Sequence, residues 1–319
     1  MKALLLSILI LASAVSNAYA QACCSAGTPL SAQMGLEFLD KGELQFNLAY
    51  DHNLLNDQFS GTEKLNDEGR SRLSQTILVR IAYAFSSRFS IAASLPYVKR
   101  SEDITFEIRD FDNLSSQGIG DLLLQANLVL LQKNAHQLML SGGIKLPTGS
   151  NSEKNEFGFD LPADLQPGTG STDFVIASLY EINNIINGNF HLNFSAVARL
   201  NGEGERFDGR QSYSFGNAFL LIAGINYEQL LKRSYLIPSL NLSYRRTYAD
   251  RINGAIAPST GGDWVSLVPG LAYYRSGFKA FLSAGIPVFR YLEGTQLTTT
   301  YRVYFQLQYT LKTRNEVKI

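Results

Sequence analysis

The sequence of 319 residues lacks several features that would mark a functional class. Its 28 basic and 28 acidic residues cancel, so it has none of the basic excess that usually identifies nucleic-acid-binding proteins. The two cysteines, Cys23 and Cys24, are neighbours, so no disulfide joins distant parts of the fold. The three histidines form no cluster with cysteine or carboxylate at metal-ligand spacing. We therefore expect no nucleic-acid partner, no metal and no cofactor.

Long apolar runs are also missing. After Ala20 no stretch approaches the roughly 20 apolar residues that a membrane-spanning helix needs. Residues 1–20 have the pattern of a secretory signal, with Lys2 at the start and an apolar centre from Leu4 to Val15. An uncleaved N-terminal anchor is the alternative, but that apolar centre is too short to span a membrane. We predict an exported protein, cleaved after Ala20, without a helical anchor.

The two cysteines follow the predicted cleavage site closely. Lipidation at Cys23 is one interpretation, but residues 20–22 lack the leucine that usually stands three positions before a lipidated cysteine. A redox or metal role would need further thiolates that the chain does not contain. We favour a vicinal pair with neither role.

Period-two alternation is what the chain does contain. From Glu43 to Tyr50 every second residue is apolar, and similar runs of about ten residues return along the chain. The 19 Phe and 16 Tyr suit antiparallel β-structure. The predicted strands lie near 43–50, 72–85, 89–97, 120–132, 138–147, 171–181, 189–201, 213–228, 234–248, 263–275, 278–289 and 298–312.

The connections alternate in length. Short breaks such as 86–87 and 276–277 alternate with longer polar segments, which are 51–71, 98–119, 148–170, 202–212, 249–262 and 290–297. Short periplasmic turns and long extracellular loops are typical of outer-membrane barrels. A soluble β-sandwich is the alternative, but it has no reason to sort connections by length. We predict an all-β protein, a closed antiparallel transmembrane barrel of about twelve strands over 43–312, in the outer membrane of a Gram-negative bacterium.

Two terminal segments flank the predicted barrel. Segment 21–42 has no clear period and is predicted to be either a periplasmic lead-in or a small plug inside the lumen. Residues 313–319 form a polar tail after a last strand rich in aromatic residues. Such a strand resembles the signal that bacterial barrel-assembly machinery reads. We therefore expect that machinery and outer-membrane lipid as partners, with both termini on the periplasmic side.

Directing the apolar faces toward lipid assigns the polar faces to the lumen. The candidate lumen and selectivity residues are Arg80, Asp121, Lys145, Asp173, His191, Arg199, Arg245 and Arg302. These charges either pair across a packed lumen or form a cationic outer half that selects solutes, as charged rings do in other pores. Inward aromatic residues such as Trp264 and Phe281 are either packing or a path for small hydrophobic or aromatic solutes.

An outer-membrane lipid hydrolase is a further alternative, and it would need a serine within hydrogen-bond reach of a histidine. His191 and Ser195 share a predicted face, but four strand residues separate them by about 13 Å. His52 falls in a predicted loop and His136 in a predicted turn. We expect no catalytic site.

Three short motifs resemble one family. They are Gly118-x-Gly120-Asp121, Lys145-Leu146-Pro147-Thr148-Gly149 and Gly168-Thr169-Gly170-Ser171-x-Asp173. Together they resemble the outer-membrane "MetA-pathway of phenol degradation" family, whose members are usually described as transporters. The resemblance implies a channel for passive uptake of small solutes, with hydrophobic or aromatic solutes as a candidate class. The main alternative is a surface barrel with a structural, adhesive or recognition role, acting through loops such as 51–71 and 148–170.

Overall fold

The computed structural model describes residues 35–66, 69–106, 109–185, 188–206 and 210–312. The predicted signal sequence, the two cysteines, most of segment 21–42 and the C-terminal tail lie outside these residues. Within the described part, no helix is long and apolar enough to cross a membrane. The described secondary structure is β apart from a single 3-10 turn, Ala163–Leu165.

The described residues form 18 strands. They are β1 (Glu43–Gly61), β2 (Glu63–Leu65), β3 (Arg70–Ser86), β4 (Phe89–Phe106), β5 (Arg109–Ile119), β6 (Leu122–Lys133), β7 (His136–Leu146), β8 (Asp173–Ile185), β9 (Phe190–Leu200), β10 (Glu203–Arg206), β11 (Gln211–Ser214), β12 (Ala218–Tyr227), β13 (Gln229–Leu231), β14 (Ser234–Thr247), β15 (Arg251–Ile252), β16 (Ala255–Ile256), β17 (Gly262–Arg275) and β18 (Phe278–Lys312).

Eleven of these strands close a ring. Their order is β12-β9-β8-β7-β6-β4-β3-β1-β18-β17-β14, and β12 pairs with β14 to complete it. Strand β18 reverses near Gly294, where φ is +82°, so its first part pairs with β17 and its second part with β1. The ring therefore has twelve antiparallel segments, because β18 contributes two and each of the other ten strands contributes one. Closure removes the unpaired edges that hydrocarbon would not tolerate.

Polar side chains face the inside of the ring and apolar side chains face outward. On β1, Gln45 and Asn47 are buried, whereas Phe46 and Leu48 are 41% and 49% exposed. The same alternation continues around the ring, where most of the exposed large hydrophobic side chains lie on the outer face. This is the inverse of a soluble protein and is typical of a barrel whose outer surface contacts lipid.

The two ends of the ring differ. At one end, the short-turn end, hairpins close through tight turns such as Ser276-Gly277, where both residues have positive φ (48° and 80°). Turns of this type match the twist of paired strands. At the other end, the long-loop end, the connections carry a separate four-stranded sheet, β10-β11-β15-β16. The predicted sorting of short and long connections is therefore present.

Several predicted loops are wrong. Segments 51–71 and 98–119 are mostly strand, because β1 runs on to Gly61, β3 starts at Arg70, and β4 and β5 form a hairpin. Segment 290–297 lies within β18, and 202–212 and 249–262 contain the short strands of the separate sheet. Alternation of apolar and polar residues marks a strand only where one face meets hydrocarbon. Beyond that band both faces can be polar, and the strands are held by ladder hydrogen bonds and by cross-strand ion pairs such as Arg72 with Glu102.

Substitution of an outward residue tests the lipid-facing band. Leu240 lies near the middle of β14 and is 47% exposed. We expect Leu240→Arg to lower the free energy of unfolding by about 2–4 kcal/mol, the depth-dependent cost of arginine at the bilayer midplane. Reversible denaturant unfolding in liposomes measures this. Ile256→Arg, in the separate sheet at the long-loop end, should change little, and equal losses at both positions would contradict the assignment.

Candidate functional site

The interior of the ring holds a cavity of about 680 Å³. A volume of this size suits a small molecule. Its lining comes from the inward faces of strands on several sides of the ring and from residues 35–37 and Asp164. Lys279 lies toward the short-turn end, and Arg72 and Arg100 lie toward the long-loop end.

Residues 35–42, here called the floor segment, enter the ring at the short-turn end. The Glu37 carboxylate accepts hydrogen bonds from Lys279 Nζ at 2.6 Å and from Gln308 Nε2 at 2.6 Å. Leu36 and Phe38 pack against buried apolar side chains of the wall. The floor segment is therefore bonded to the wall through both polar and apolar contacts.

The Glu37 carboxyl is an ionised group inside the ring. Burial by itself raises the pKa of this carboxyl, but the Lys279 charge and the hydrogen bonds from Lys279 and Gln308 outweigh burial and leave the pKa below its usual value. Glu37 and Lys279 consequently form an ion pair at neutral pH.

The loop between β7 and β8 is tied to the wall at the long-loop end. Arg72 donates from Nη1 to Asp164 Oδ2 at 2.7 Å and from Nε to Glu102 Oε2 at 3.0 Å. Arg100 donates to the Gln166 carbonyl oxygen, and the Ser116 hydroxyl donates to the Leu165 carbonyl oxygen. Arg72 is 1% exposed, and its two carboxylates compensate its buried charge.

The three sequence motifs meet in one cluster beside that loop. Lys145 Nζ lies 2.7 Å from Asp121 Oδ2 and 2.9 Å from Asp173 Oδ2, and it also donates to Thr169 Oγ1. Ser171 Oγ donates to Asp173 Oδ1 at 2.8 Å. These five residues, here called the rim cluster, are all buried.

Backbone groups complete the rim cluster. Asp121 lies in the break between β5 and β6, where it accepts hydrogen bonds from the backbone N–H of Gly149 at 3.0 Å and of Thr169 at 2.9 Å. A Cβ on Gly149 would lie 2.8 Å from Gly168 Cα, so only glycine permits this approach of the two chains. The residues of the three motifs therefore attach the loop between β7 and β8 to the barrel wall.

The predicted site residues fall into two groups. His191, Arg199, Arg245 and Arg302 line the cavity, and Asp121, Lys145 and Asp173 lie in the rim cluster behind it. Arg80 lies beside Gly35 of the floor segment and donates to Gln45 Oε1 at 3.2 Å. His191 Nδ1 lies 3.0 Å from Asn183 Oδ1 and its Nε2 lies 3.3 Å from Glu228. None of the described hydrogen bonds of His191 involves Ser195.

Sequence reasoning missed several charged cavity residues. Asp51 and Arg100 fell in predicted loops, yet both continue the inward parity of β1 and β4. Arg302 binds Asp51 through two hydrogen bonds, from Nε at 2.7 Å and from Nη2 at 3.0 Å. Extending the parity beyond the apolar band would have found these two. Glu37 and Asp164 carry no such signal, because neither lies in a strand.

A family model described as MetA-pathway of phenol degradation matches residues 76–305. The chain belongs to this family. The match includes all three motifs, which this family member folds into the rim cluster. Comparison with curated proteins found no match.

Comparison with solved structures found a clear likeness and several weaker ones. The COG4313 outer membrane channel from Pseudomonas putida F1 has a TM-score of 0.69 and 14% identity, covering 87% of this chain and 98% of that one. The beta domain of the Bordetella autotransporter BrkA has a TM-score of 0.48 and 9% identity, covering 85% and 100%. A FadL homologue from Pseudomonas aeruginosa has a TM-score of 0.41 and 12% identity, covering 92% and 96%.

The likeness to the COG4313 channel supports the fold, and at 14% identity it shows the fold alone. The family member described here is a β-barrel of the Gram-negative outer membrane, which confirms the predicted family, fold class and location. The short-turn end is therefore the periplasmic end, and the long-loop end is the outer end.

Removing the cation of the rim cluster tests its role. Lys145→Met removes the cation that contacts the two buried carboxylates of Asp121 and Asp173, and we expect a loss of about 3–5 kcal/mol in the free energy of unfolding. Denaturant unfolding measures the loss, and the heat-dependent shift in gel migration verifies that the barrel folds. Lys133→Met, at the exposed end of β6, is the matched control. Equal stability of the two variants would show that the cluster does not hold the rim.

Proposed function

We propose that this family member is a narrow outer-membrane channel for passive entry of small solutes into the periplasm. The observation that carries the proposal is the cavity of about 680 Å³ inside a closed ring, lined by polar and charged side chains. A ring of twelve antiparallel segments is wider than the eight-stranded barrels that side chains fill and narrower than aqueous porins. We propose that diffusion drives the transport.

The cavity walls differ in chemistry, which supports selection of solutes within it. The wall formed by β9, β14 and β17 carries uncharged polar groups, among them Asn193, Asn241, Ser243 and Ser266. The rings of Phe281 and Tyr304 lie with centroids 6.2 Å apart on β18 and face the same space. This mixture suits solutes that have a polar group and an apolar or aromatic body. The family resemblance implies hydrophobic or aromatic solutes as the candidate class.

Cationic side chains concentrate in the outer half of the cavity. Arg199, Arg245 and Arg302 line it there, and they remain our candidate selectivity residues. Arg302 is compensated by Asp51. His191, near the periplasmic end, has Glu228 beside it. We assign to the rim cluster, and to Arg80 beside the floor segment, a supporting role in the shape of the channel.

We further propose that the floor segment is a plug. Its contacts with Lys279, Gln308 and the wall support the plug over a periplasmic lead-in, because a lead-in would have no reason to bond inside the ring. The ion pair of Glu37 with Lys279 is the polar attachment of this plug.

Deleting the plug tests both proposals. A mature chain without residues 21–39 should show a larger single-channel conductance in planar bilayers and faster liposome swelling with a small neutral sugar, because the periplasmic end is then open. Glu37→Gln is the matched control, since it retains the segment and loses only the charge. If neither protein conducts, the channel proposal fails. Equal conductance of the wild type and both variants would contradict the plug proposal and leave the channel proposal standing.

A surface-recognition role is the second candidate, and one observation favours it. Phe157 and Phe159 lie in the outer loop between β7 and β8 and are 63% and 70% exposed. Aromatic side chains so exposed on a loop tip are a common feature of binding surfaces. The other loop considered for this role, 51–71, is mostly strand.

Substitution of the two phenylalanines separates the candidates. If the outer loop recognises a cell or phage surface, the double variant Phe157→Ser and Phe159→Ser should lose binding to the cells or phage that the wild-type protein binds, while solute uptake persists. Loss of uptake with unchanged binding would instead favour the channel. Glu156→Ser, which is also exposed on the same loop, serves as the control.

A further inference from the structure

The single tryptophan of the chain positions one arginine in the cavity. The guanidinium carbon of Arg245 lies 4.1 Å from the centroid of the Trp264 ring. Trp264 is 4% exposed, and its Nε1 donates a hydrogen bond to Thr298 Oγ1 at 2.9 Å. Its ring packs in a buried cluster with Phe59 and Leu292. The indole is therefore fixed, and stacking on it orients the guanidinium plane. The N–H donors at the guanidinium edge make no hydrogen bond to any residue that the structure describes.

The charge of Arg245 is not compensated in the way the neighbouring charges are. Arg302 binds Asp51 in a two-point pair, and Arg72 lies between Glu102 and Asp164. In the parts of the chain that the structure describes, the guanidinium of Arg245 has no carboxylate within ion-pair distance. A cation that is held in place, faces a cavity and lacks a partner carboxylate is suited to an anion that enters from outside.

The side chains around Arg245 indicate which chemical groups, besides its charge, the bound anion would have. Arg245 pairs in register with Leu220 on one side and with Trp264 on the other. Leu220 and Val197 belong to a buried apolar cluster that borders the cavity. One step toward the periplasm, the wall carries the hydroxyl of Ser243. The site thus offers a planar fork of donors beside an apolar surface.

We propose that Arg245 and Trp264 form a binding site for small organic monocarboxylates in the outer half of the lumen. The carboxylate accepts two parallel hydrogen bonds from the guanidinium, the geometry for which arginine is suited. The hydrocarbon or aromatic body lies along Leu220 and Val197. This site deepens the proposed channel function and rests on it, because a solute reaches Arg245 only through the lumen.

Binding can be measured at the site itself, because Trp264 is the only tryptophan. Purified barrel in detergent is titrated with benzoate and, separately, with the neutral benzamide, while tryptophan emission is recorded. We expect saturable change with benzoate and at least about tenfold weaker binding of benzamide, given the strength of hydrogen bonds to charged groups. Equal affinity for the two compounds would overturn the inference.

Variants identify the group responsible. Arg245→Gln should weaken benzoate about tenfold or more and leave benzamide unchanged, and calorimetry provides a readout that does not depend on the altered tryptophan environment. Arg245→Lys keeps the charge but loses the two parallel donors, so its affinity for benzoate should lie between those of the wild type and Arg245→Gln. Arg233→Gln removes the same charge from the exposed turn before β14 and should bind benzoate as the wild type does. Unchanged benzoate affinity in Arg245→Gln, with heat-modifiable migration intact, contradicts the site.

Two further measurements test whether the site is specific for monocarboxylates and whether it stands independently of the channel proposal. Sulfate at matched ionic strength should displace benzoate weakly, and displacement as effective as that by unlabelled benzoate would overturn the assignment to monocarboxylates. Conductance without any preference for benzoate contradicts the site and leaves the channel standing. Binding of benzoate to a protein that never conducts supports the site and contradicts the channel.

Discussion

A backbone N–H or carbonyl without a partner in hydrocarbon costs several kcal/mol, because no water is present to bind it. The pairing of β12 with β14 satisfies that constraint by closing the ring, and the distribution of side chains follows from closure. In a closed ring a strand side chain can point only outward or inward. Leu48 and Leu240 point to lipid, whereas Asn47 and Asn241 point inward. The polar side chains on the inner face of every strand therefore lie together in the small volume of the lumen.

Charges gathered in this way have to be compensated close to where they lie, since a lone buried charge is strongly destabilising. The same contacts that compensate them also position the segments that are not strands. The rim cluster pins the outer loop between β7 and β8, and Arg72 holds that loop through Asp164. At the opposite end, Glu37 holds the floor segment against Lys279. The shape of the lumen is consequently set by ion pairs as much as by the barrel wall.

Arg245 differs from the ion-paired cations Arg72 and Lys279. It is supported by the ring of Trp264 instead of a carboxylate, so its orientation is fixed while its charge faces the cavity. Passive diffusion can discriminate between solutes only through contacts made inside the channel. A site of this kind, beside apolar Leu220, would favour carboxylates with a hydrocarbon body without requiring any energy input.

Period-two alternation by itself determined the strands, their lipid face and the inward direction of Arg199, Arg245 and Arg302, because each depends only on the parity of a residue within its own strand. It did not extend the strands beyond the hydrocarbon band, where both faces are polar. Only the tertiary structure decided that Asp121, Lys145 and Asp173 bind one another, that the floor segment enters the ring, and that Asp164 reaches the cavity. Those contacts depend on strand register and on the path of irregular segments, which are non-local and leave no periodic trace in the sequence.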